Sequence, residues 1–445
     1  MKKKLNLLLL ACCCSVAANA QTDNFKKLDS FFDALAANNK AMGSIVIRQN
    51  GQTVYSKATG FRGYKAGEKI PSTPATIYRL GSISKVYTAA IIFQLIQQGR
   101  LTMETALSKY YPAIPNAADI KIKHLLNHSS GIFNITTDST YTNWYKTGLS
   151  KNEMLKKMAG HPAVFNPGTS TRYSNSNFIL LGYIIEDISK KTYQQNLDEL
   201  INKKTGASHT YYFSKTDAAK NEAYSYAYEN NQWEEQPETH QSIPHGAGAI
   251  AATAEETALF MEQYISGNIL SRQWTDTVIT GVKQLGYGIM KFTFDTLTGY
   301  GHNGAIDEFR STAFYLPGQK IAMAFLSNGI NYQLNDIMNA ATKIYLQQPF
   351  TIPTFATIEL KDADLAKFNG VYSTDKFPLK ITIDHKEGKL LAQATGQMQF
   401  SLDAQSPTIF ANEQFGVVLE FVLTNGDTVK EMILKQGGAA VSFTK

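Results

Sequence analysis

Arg79-Leu80-Gly81-Ser82-Ile83-Ser84-Lys85 leads into a long apolar stretch that runs to Gln98 and stops before Gly99. The stretch predicts a helix over Ser84 to Gln98, and positions i and i+3 of a helix share a face, so the Lys85 amine can reach the Ser82 oxygen. A hydroxyl with its own base is suited to serine acyl transfer without a Ser-His-Asp arrangement. A helix start also offers free N–H groups and a positive dipole end to a developing oxyanion. The competing reading makes Ser82 a helix N-cap and leaves Lys85 on a solvated face.

The spacing S-x-x-K occurs three times, at Ser82/Lys85, Ser373/Lys376 and Ser442/Lys445. The last two lie in strand-like sequence near the C-terminus, so only Ser82 opens a helix. A second element, Pro167-Gly168-Thr169-Ser170-Thr171-Arg172-Tyr173-Ser174-Asn175, precedes another apolar helical run from Phe178 to Ile188. Tyr173 and Asn175 are two apart, so an extended or turn segment presents both to one side. A phenol beside a lysine ammonium is expected to have its pKa pulled down and to shuttle the serine proton. The Asn175 amide is suited to a substrate carbonyl. Tyr141-Thr142-Asn143 and Tyr228-Glu229-Asn230 repeat the spacing but read as surface loops.

The third element is Tyr300-Gly301-His302-Asn303-Gly304-Ala305. It reads as a strand edge where Gly304, lacking a side chain, lets backbone approach a ligand. The N–H of Ala305, paired with that of Ser82, would then form an oxyanion hole.

Ser82-Ile83-Ser84-Lys85, Tyr173-Ser174-Asn175 and His302-Asn303-Gly304, in that order, resemble the three motifs of the serine beta-lactamase-like family. That family includes class C beta-lactamases, D-alanyl-D-alanine carboxypeptidases, D-aminopeptidases and related esterases. The segments His124-Leu125-Leu126-Asn127-His128-Ser129-Ser130-Gly131, Gly248 to Glu256 and Leu326-Ser327-Asn328-Gly329 are also similar, and the likeness covers roughly residues 25–347. It implies an α+β catalytic domain of the beta-lactamase/transpeptidase type, with an antiparallel sheet and a helical subdomain, and no cofactor or metal. It also implies roles. Ser82 is acylated, Lys85 activates it, Tyr173 carries the proton and Asn175 holds the substrate. His302 lines the pocket near Tyr173, with Gly304 and Ala305 beside it.

Many beta-lactamases carry K-T-G as the third motif, with the lysine available to a substrate carboxylate. His302 stands there instead, which favours a peptidase or esterase over an efficient beta-lactamase. Literal K-T-G strings occur at Lys146-Thr147-Gly148 and Lys204-Thr205-Gly206. The first is out of order and leads into a helix at Ser150; the second reads as a helix end with Gly206 just beyond it. Asp307-Glu308 either adds negative charge to the pocket or forms a solvated turn. The expected activity is cleavage of an amide or ester, in a D-amino-acid peptide, a muropeptide or a small ester, through an acyl-Ser82 intermediate. The alternatives are a non-catalytic penicillin- or muropeptide-binding sensor and a weak beta-lactamase.

Other chemistries lack their residues. There is no G-x-S-x-G, no H-E-x-x-H and no phosphate loop, and the i, i+4 pair His124/His128 reads as structural. The formal charge is +6, and three lysines of the first 20 residues supply half of it, so nothing suggests a nucleic-acid partner. Those residues read as an export signal: Lys2-Lys3-Lys4, an apolar core from Leu5 to Val16, and Ala18-Asn19-Ala20 as a cleavage site before Gln21. A lipoprotein signal with Cys12 lipidated is the alternative. All three cysteines (Cys12, Cys13, Cys14) fall inside the segment, so a mature protein beginning at Gln21 has no disulfide. No later stretch is long enough to span a membrane. The expected place is the periplasm or the medium, where the partner is a small-molecule or peptide substrate such as a peptidoglycan fragment.

The expected domains are a signal peptide over 1–20, a hydrolase domain over 21–350, a linker over 351–360 and a small antiparallel β domain over 361–445. Within the hydrolase part, Asp23 to Asn39 has helical spacing, Asn50-Gly51 marks a hairpin, Ile321 to Leu326 a buried strand and Leu334 to Leu346 a closing helix. The tail alternates short strands with turns at Lys386-Glu387-Gly388 and Asn425-Gly426, which suggests a barrel or sandwich. It resembles the lipocalin-like β domain often appended to such hydrolases.

Overall fold

The computed structural model describes residues 23–445 apart from 282–284, 295, 356, 413–414, 425–426 and 437–438. The expected export signal with its cysteines, and the expected turn at Asn425-Gly426, lie outside the described residues. The described residues pack as two compact units, one over 41–330 and one combining 331–445 with residues 23–40.

The unit over 41–330 is built on a six-stranded antiparallel sheet. Its strands are β1 (Ala41–Gln49), β2 (Gln52–Thr59), β3 (Met290–Phe294), β4 (Leu297–Ile306), β5 (Phe309–Leu316) and β6 (Ile321–Ile330). They lie in the order β3-β4-β5-β6-β1-β2. The hairpin expected at Asn50-Gly51 joins β1 to β2, and both residues have positive φ (51° and 83°), as a tight primed turn requires. The central strands β1 and β6 are buried along nearly their whole length, which suits the apolar runs Ile45-Val46-Ile47 and Ile321 to Leu326.

Two helices form the heart of this unit, α1 (Ser84–Gln97) and α2 (Asn175–Ser189). Every residue of α1 from Ser84 to Ile96 is buried, so the helix is apolar all round rather than amphipathic. Val86, Ala89, Ala90 and Phe93 of α1 share one core with Phe178, Leu181 and Ile184 of α2. In such a helix a lysine has no solvated face to occupy.

In the other unit, residues 23–37 are helical and lie beside α3 (Leu334–Tyr345), with the Phe25 and Tyr345 rings stacked at 6.4 Å. Eight antiparallel strands follow in sequential order: β7 (Gly370–Ser373), β8 (Lys380–Lys386), β9 (Lys389–Ala394), β10 (Phe400–Ala404), β11 (Ile409–Asn412), β12 (Val417–Thr424), β13 (Thr428–Gln436) and β14 (Ala439–Phe443). A bridge between Ser373 and Thr444 joins the first strand to the end of the last, so the barrel is nearly closed. The tail is not purely strand, because Asp362–Leu365 and Ala366–Phe368 form a short helical segment. Leu365 and Phe368 from that segment are fully buried in the barrel core. No helix among the described residues is long and apolar enough to cross a membrane.

Candidate active site

Ser82 lies in a single 3-10 turn, Gly81–Ile83, that runs directly into α1. It is not a side-chain cap, and Lys85 is fully buried, so the reading of Ser82 as an N-cap with a solvated Lys85 does not describe this segment. The turn is held from three sides. The short strand Tyr78–Arg79 pairs with Ile250–Ala252, and the Leu80 N–H donates to the Ile250 carbonyl at 2.8 Å. Ser84 Oγ accepts the Ile250 N–H at 3.1 Å. Ser311 Oγ of β5 donates to the Leu80 carbonyl at 2.8 Å.

Tyr173 comes from the extended stretch ahead of α2, and Asn175 is the first residue of that helix. Tyr173 OH donates to Ser82 Oγ at 2.8 Å, and Lys85 Nζ lies 2.9 Å from the same oxygen. The amine also donates to Asn175 Oδ1 and to the Ala247 carbonyl, both at 2.8 Å. Asn175 is pinned in turn: its backbone N–H donates to Asn134 Oδ1 and its Nδ2 to Thr136 Oγ1, each at 2.9 Å. Ser82, Lys85, Tyr173 and Asn175 therefore meet at one point from two segments, with Lys85 90 residues from Asn175 and Ser82 91 from Tyr173.

Burial shifts the protonation equilibria of Lys85 and Tyr173 toward the uncharged forms. It holds the Lys85 amine well below its ordinary value, with no carboxylate among the causes to oppose it. Burial also pushes the Tyr173 phenol up, against a smaller opposite effect of the Ser82 hydrogen bond. This reverses the expected depression of the Tyr173 pKa, which assumed a charged lysine beside it. A neutral amine and a neutral phenol are mutually consistent. Two acceptors, Asn175 Oδ1 and Ala247 O, take the two N–H bonds of the neutral amine and leave its lone pair for the Ser82 hydroxyl.

On β4, the pairing with β3 ends at Gly301, so His302 to Ile306 have a sheet partner on one side only, as a strand edge should. His302 is not a pocket-lining residue. It is buried, its ring centre is 6.4 Å from that of Tyr173, and its Nδ1–H donates to the Asn303 carbonyl. Burial, the largest cause, lowers its pKa to about 4, so it is neutral near pH 7. Gly304 does have a close backbone neighbour, but it is the chain's own: a Cβ there would stand 2.0 Å from the Leu80 carbonyl oxygen and 2.2 Å from Ser311 Oγ. Gly81, at φ 52°, meets the next residue of the strand, with a hypothetical Cβ 2.7 Å from the Ala305 nitrogen. These two glycines let β4 lie against the serine turn, and Ser82 and Ala305 line one cavity of about 330 Å³.

Several residues around that cavity were not legible in sequence. Tyr141, read as a surface loop, lines it with Tyr145, and the two rings stack at 5.5 Å. Its string Tyr141-Thr142-Asn143 is a short 3-10 turn, and only tertiary packing turns it inward. Asp307 lines the cavity too, and its side chain is 2 % exposed, so the solvated-turn reading fails for it. Asp307 pairs with Arg79 at 3.1 Å and accepts the Thr239 N–H and Oγ–H at 3.0 and 2.6 Å. Arg79 also pairs with Glu238 at 3.1 Å. Burial raises the Asp307 carboxyl, against the Thr239 hydrogen bonds and the Arg79 charge. His128 stacks on Tyr173 at 4.5 Å and accepts the Ser174 N–H on Nδ1 at 3.1 Å, which holds the Tyr173–Asn175 bend. The His124–Gly131 motif and the histidine spacing were visible, but that support role was not. Among the described residues no group of His, Cys, Asp and Glu could hold a metal.

The decoy motifs lie elsewhere. Ser373 ends β7 and Ser442 is in β14, while Gly206 closes a short helix at φ 78°.

A six-stranded sheet with a serine turn and buried lysine at its edge belongs to a known class. The Beta-lactamase family profile matches residues 28–345, and the chain belongs to that family of serine hydrolases. Penicillin-binding protein 4* of Bacillus subtilis (strain 168) is 23% identical over 445 residues, covering 93% of this chain and 97% of that protein. The teichoic acid D-alanine hydrolase of Staphylococcus aureus is 26% identical over 217 residues, 47% of this chain and 50% of that one. Among solved structures, the octameric penicillin-binding protein homologue from Pyrococcus abyssi superposes with a TM-score of 0.66 at 23% identity, covering 94% of this chain and 99% of its own.

Proposed function

We propose that this serine hydrolase cleaves an amide or ester through an acyl-Ser82 intermediate, on substrates that bring a neutral or cationic group to the cavity. The contact of both Lys85 Nζ and Tyr173 OH with Ser82 Oγ carries the first part of the proposal. The Ser82 O–H bond breaks toward the Lys85 lone pair as Oγ bonds the substrate carbonyl carbon. The carbonyl oxygen takes the charge, facing the N–H groups of Ser82 and Ala305. Collapse breaks the bond to the leaving nitrogen or oxygen. That atom receives the Tyr173 proton, and Lys85 passes the proton it took from Ser82 to the Tyr173 phenolate, which leaves both groups neutral again. Water then attacks the acyl carbon and gives a proton to the Lys85 amine; collapse breaks the bond to Ser82 Oγ, which takes that proton back as the acid product leaves.

The second part rests on charge. Among the described residues lining the cavity none is cationic, and one, Asp307, is acidic. Arg79 faces two carboxylates, Asp307 and Glu238, so the trio carries one net negative charge when all three ionise. A substrate carboxylate has no partner there, whereas the ammonium of a D-aminoacyl group does. The likeness to a D-alanine hydrolase points the same way. The three lysines, apolar core and Ala18-Asn19-Ala20 of residues 1–20 support export to the periplasm or the medium.

Intact mass after incubation with a fluorophosphonate tests the nucleophile: one adduct is expected on wild type and none on Ser82→Ala, and an unlabelled wild type would sink the assignment. D-alanyl p-nitroanilide against its N-succinyl analogue tests the charge argument. Preference for the succinylated substrate would overturn it, and acylation without turnover of either would favour a binding protein.

A further inference from the structure

The barrel is filled at one end and hollow at the other. At the filled end Phe368 packs against Phe410 and Phe421, with ring centres 5.1 and 4.5 Å apart, and Leu365 and Leu402 share that core. The opposite end holds a cavity of about 490 Å³. Strand register builds its wall: Ile381 faces Ala394, Ala392 faces Phe400, Leu419 faces Leu434 and Val417 faces Gln436. The space comes from β9. Its inward positions run Leu390, Ala392, Ala394, so two alanines stand at the level where the neighbouring strands carry Ile381 and Phe400.

A void of this size is not expected in a well-packed core, whose interior is as dense as an organic crystal. It falls within the ordinary range of small-molecule pockets, and an eight-stranded barrel is just wide enough to hold one such molecule. The mouth is apolar as well: Met398 is 88% exposed and Phe415 49%. Among the described residues none of the lining side chains is charged, and the polar ones are Gln397 and Gln436. The Gln436 amide donates to the Phe415 carbonyl at 3.0 Å, which leaves its own oxygen for a donor on a ligand.

We propose that this end of the barrel binds an uncharged aliphatic molecule, with its hydrocarbon in the cavity and a terminal hydroxyl or amide at Gln397 and Gln436. A charged head group finds no partner on this wall and is selected against by its desolvation. The site is separate from Ser82 and independent of the reaction assigned to it.

The full chain titrated with the neutral fluorophore N-phenyl-1-naphthylamine is expected to show saturable binding at one site. 1-Dodecanol should displace the probe, with dodecanoate at least about ten-fold weaker. Ala394→Trp fills the cavity and should weaken probe binding by at least about ten-fold. Met398→Glu, at a rim position too exposed to matter for folding, should weaken it too. Unchanged melting and fluorophosphonate labelling of Ser82 would show that both variants are folded. No saturable binding by wild type, or full binding by both folded variants, overturns the site. Equal displacement by dodecanoate overturns the preference for an uncharged ligand.

Discussion

The base role proposed for Lys85 depends on its burial, and burial gives the pH dependence a definite sign. Its pKa in the folded protein lies below the ordinary lysine value, so the neutral base is lost as pH falls through that lowered value. Acylation should therefore rise with pH along one limb and then level. Tyr173, raised by burial, stays protonated over the same range, and His302 and His128, lowered to about 4 and about 3, add no limb between pH 5 and 8. Rates of fluorophosphonate labelling against pH check this, and a limb removed by His302→Gln would contradict it. Tyr173→Phe keeps the ring on His128 and removes only the hydroxyl. It should lower kcat by about 10²–10⁴-fold with little change in KM, as loss of a proton carrier does. Asp307→Asn removes the acidic charge from the cavity wall and should shift the kcat/KM ratio of succinylated to free-amine substrates toward the former.

At the scale of elements, two contacts set the serine turn against β4. Gly304→Ala would drive a methyl into the Leu80 carbonyl. Relief requires backbone movement, at a cost of about 1–3 kcal/mol, and moves the N–H of Ala305 away from Ser82. Melting temperature and kcat should fall together, whereas a stable variant with full activity would show that the turn and strand are not so tightly coupled. The Arg79–Asp307 pair spans the same junction, since Arg79 lies three residues before Ser82 and Asp307 two after Ala305. Arg79→Ala leaves a buried carboxylate unpaired, which costs about 3–5 kcal/mol. Chemical denaturation should show a loss of that order, and Arg79→Met with Asp307→Asn together should recover much of it.

For the whole molecule, two separately packed units predict two calorimetric transitions. Acylation of Ser82 should raise only the transition of the 41–330 unit, because a ligand stabilises the state that binds it. An aliphatic alcohol should raise only the other. Much of this organisation was legible locally. Asn50-Gly51 forms a hairpin wherever two strands flank it, and the apolar run after Ser84 must be a buried helix because it has no polar face. The order and spacing of the three motifs identified the family, and the alternation beyond residue 360 indicated a small β domain. Tertiary structure alone decided that His302 lies behind the reaction centre, that Gly304 makes room for Leu80, and that Tyr141 and Asp307 face the cavity. It also decided the direction in which the Lys85 pKa moves. Local pattern tells which face of an element is buried, but the charge on a buried amine depends on what remote segments bring to it. Here the segments that carry Tyr173, Asn175 and Ala247 close over it, so burial lowers its pKa and no carboxylate opposes that.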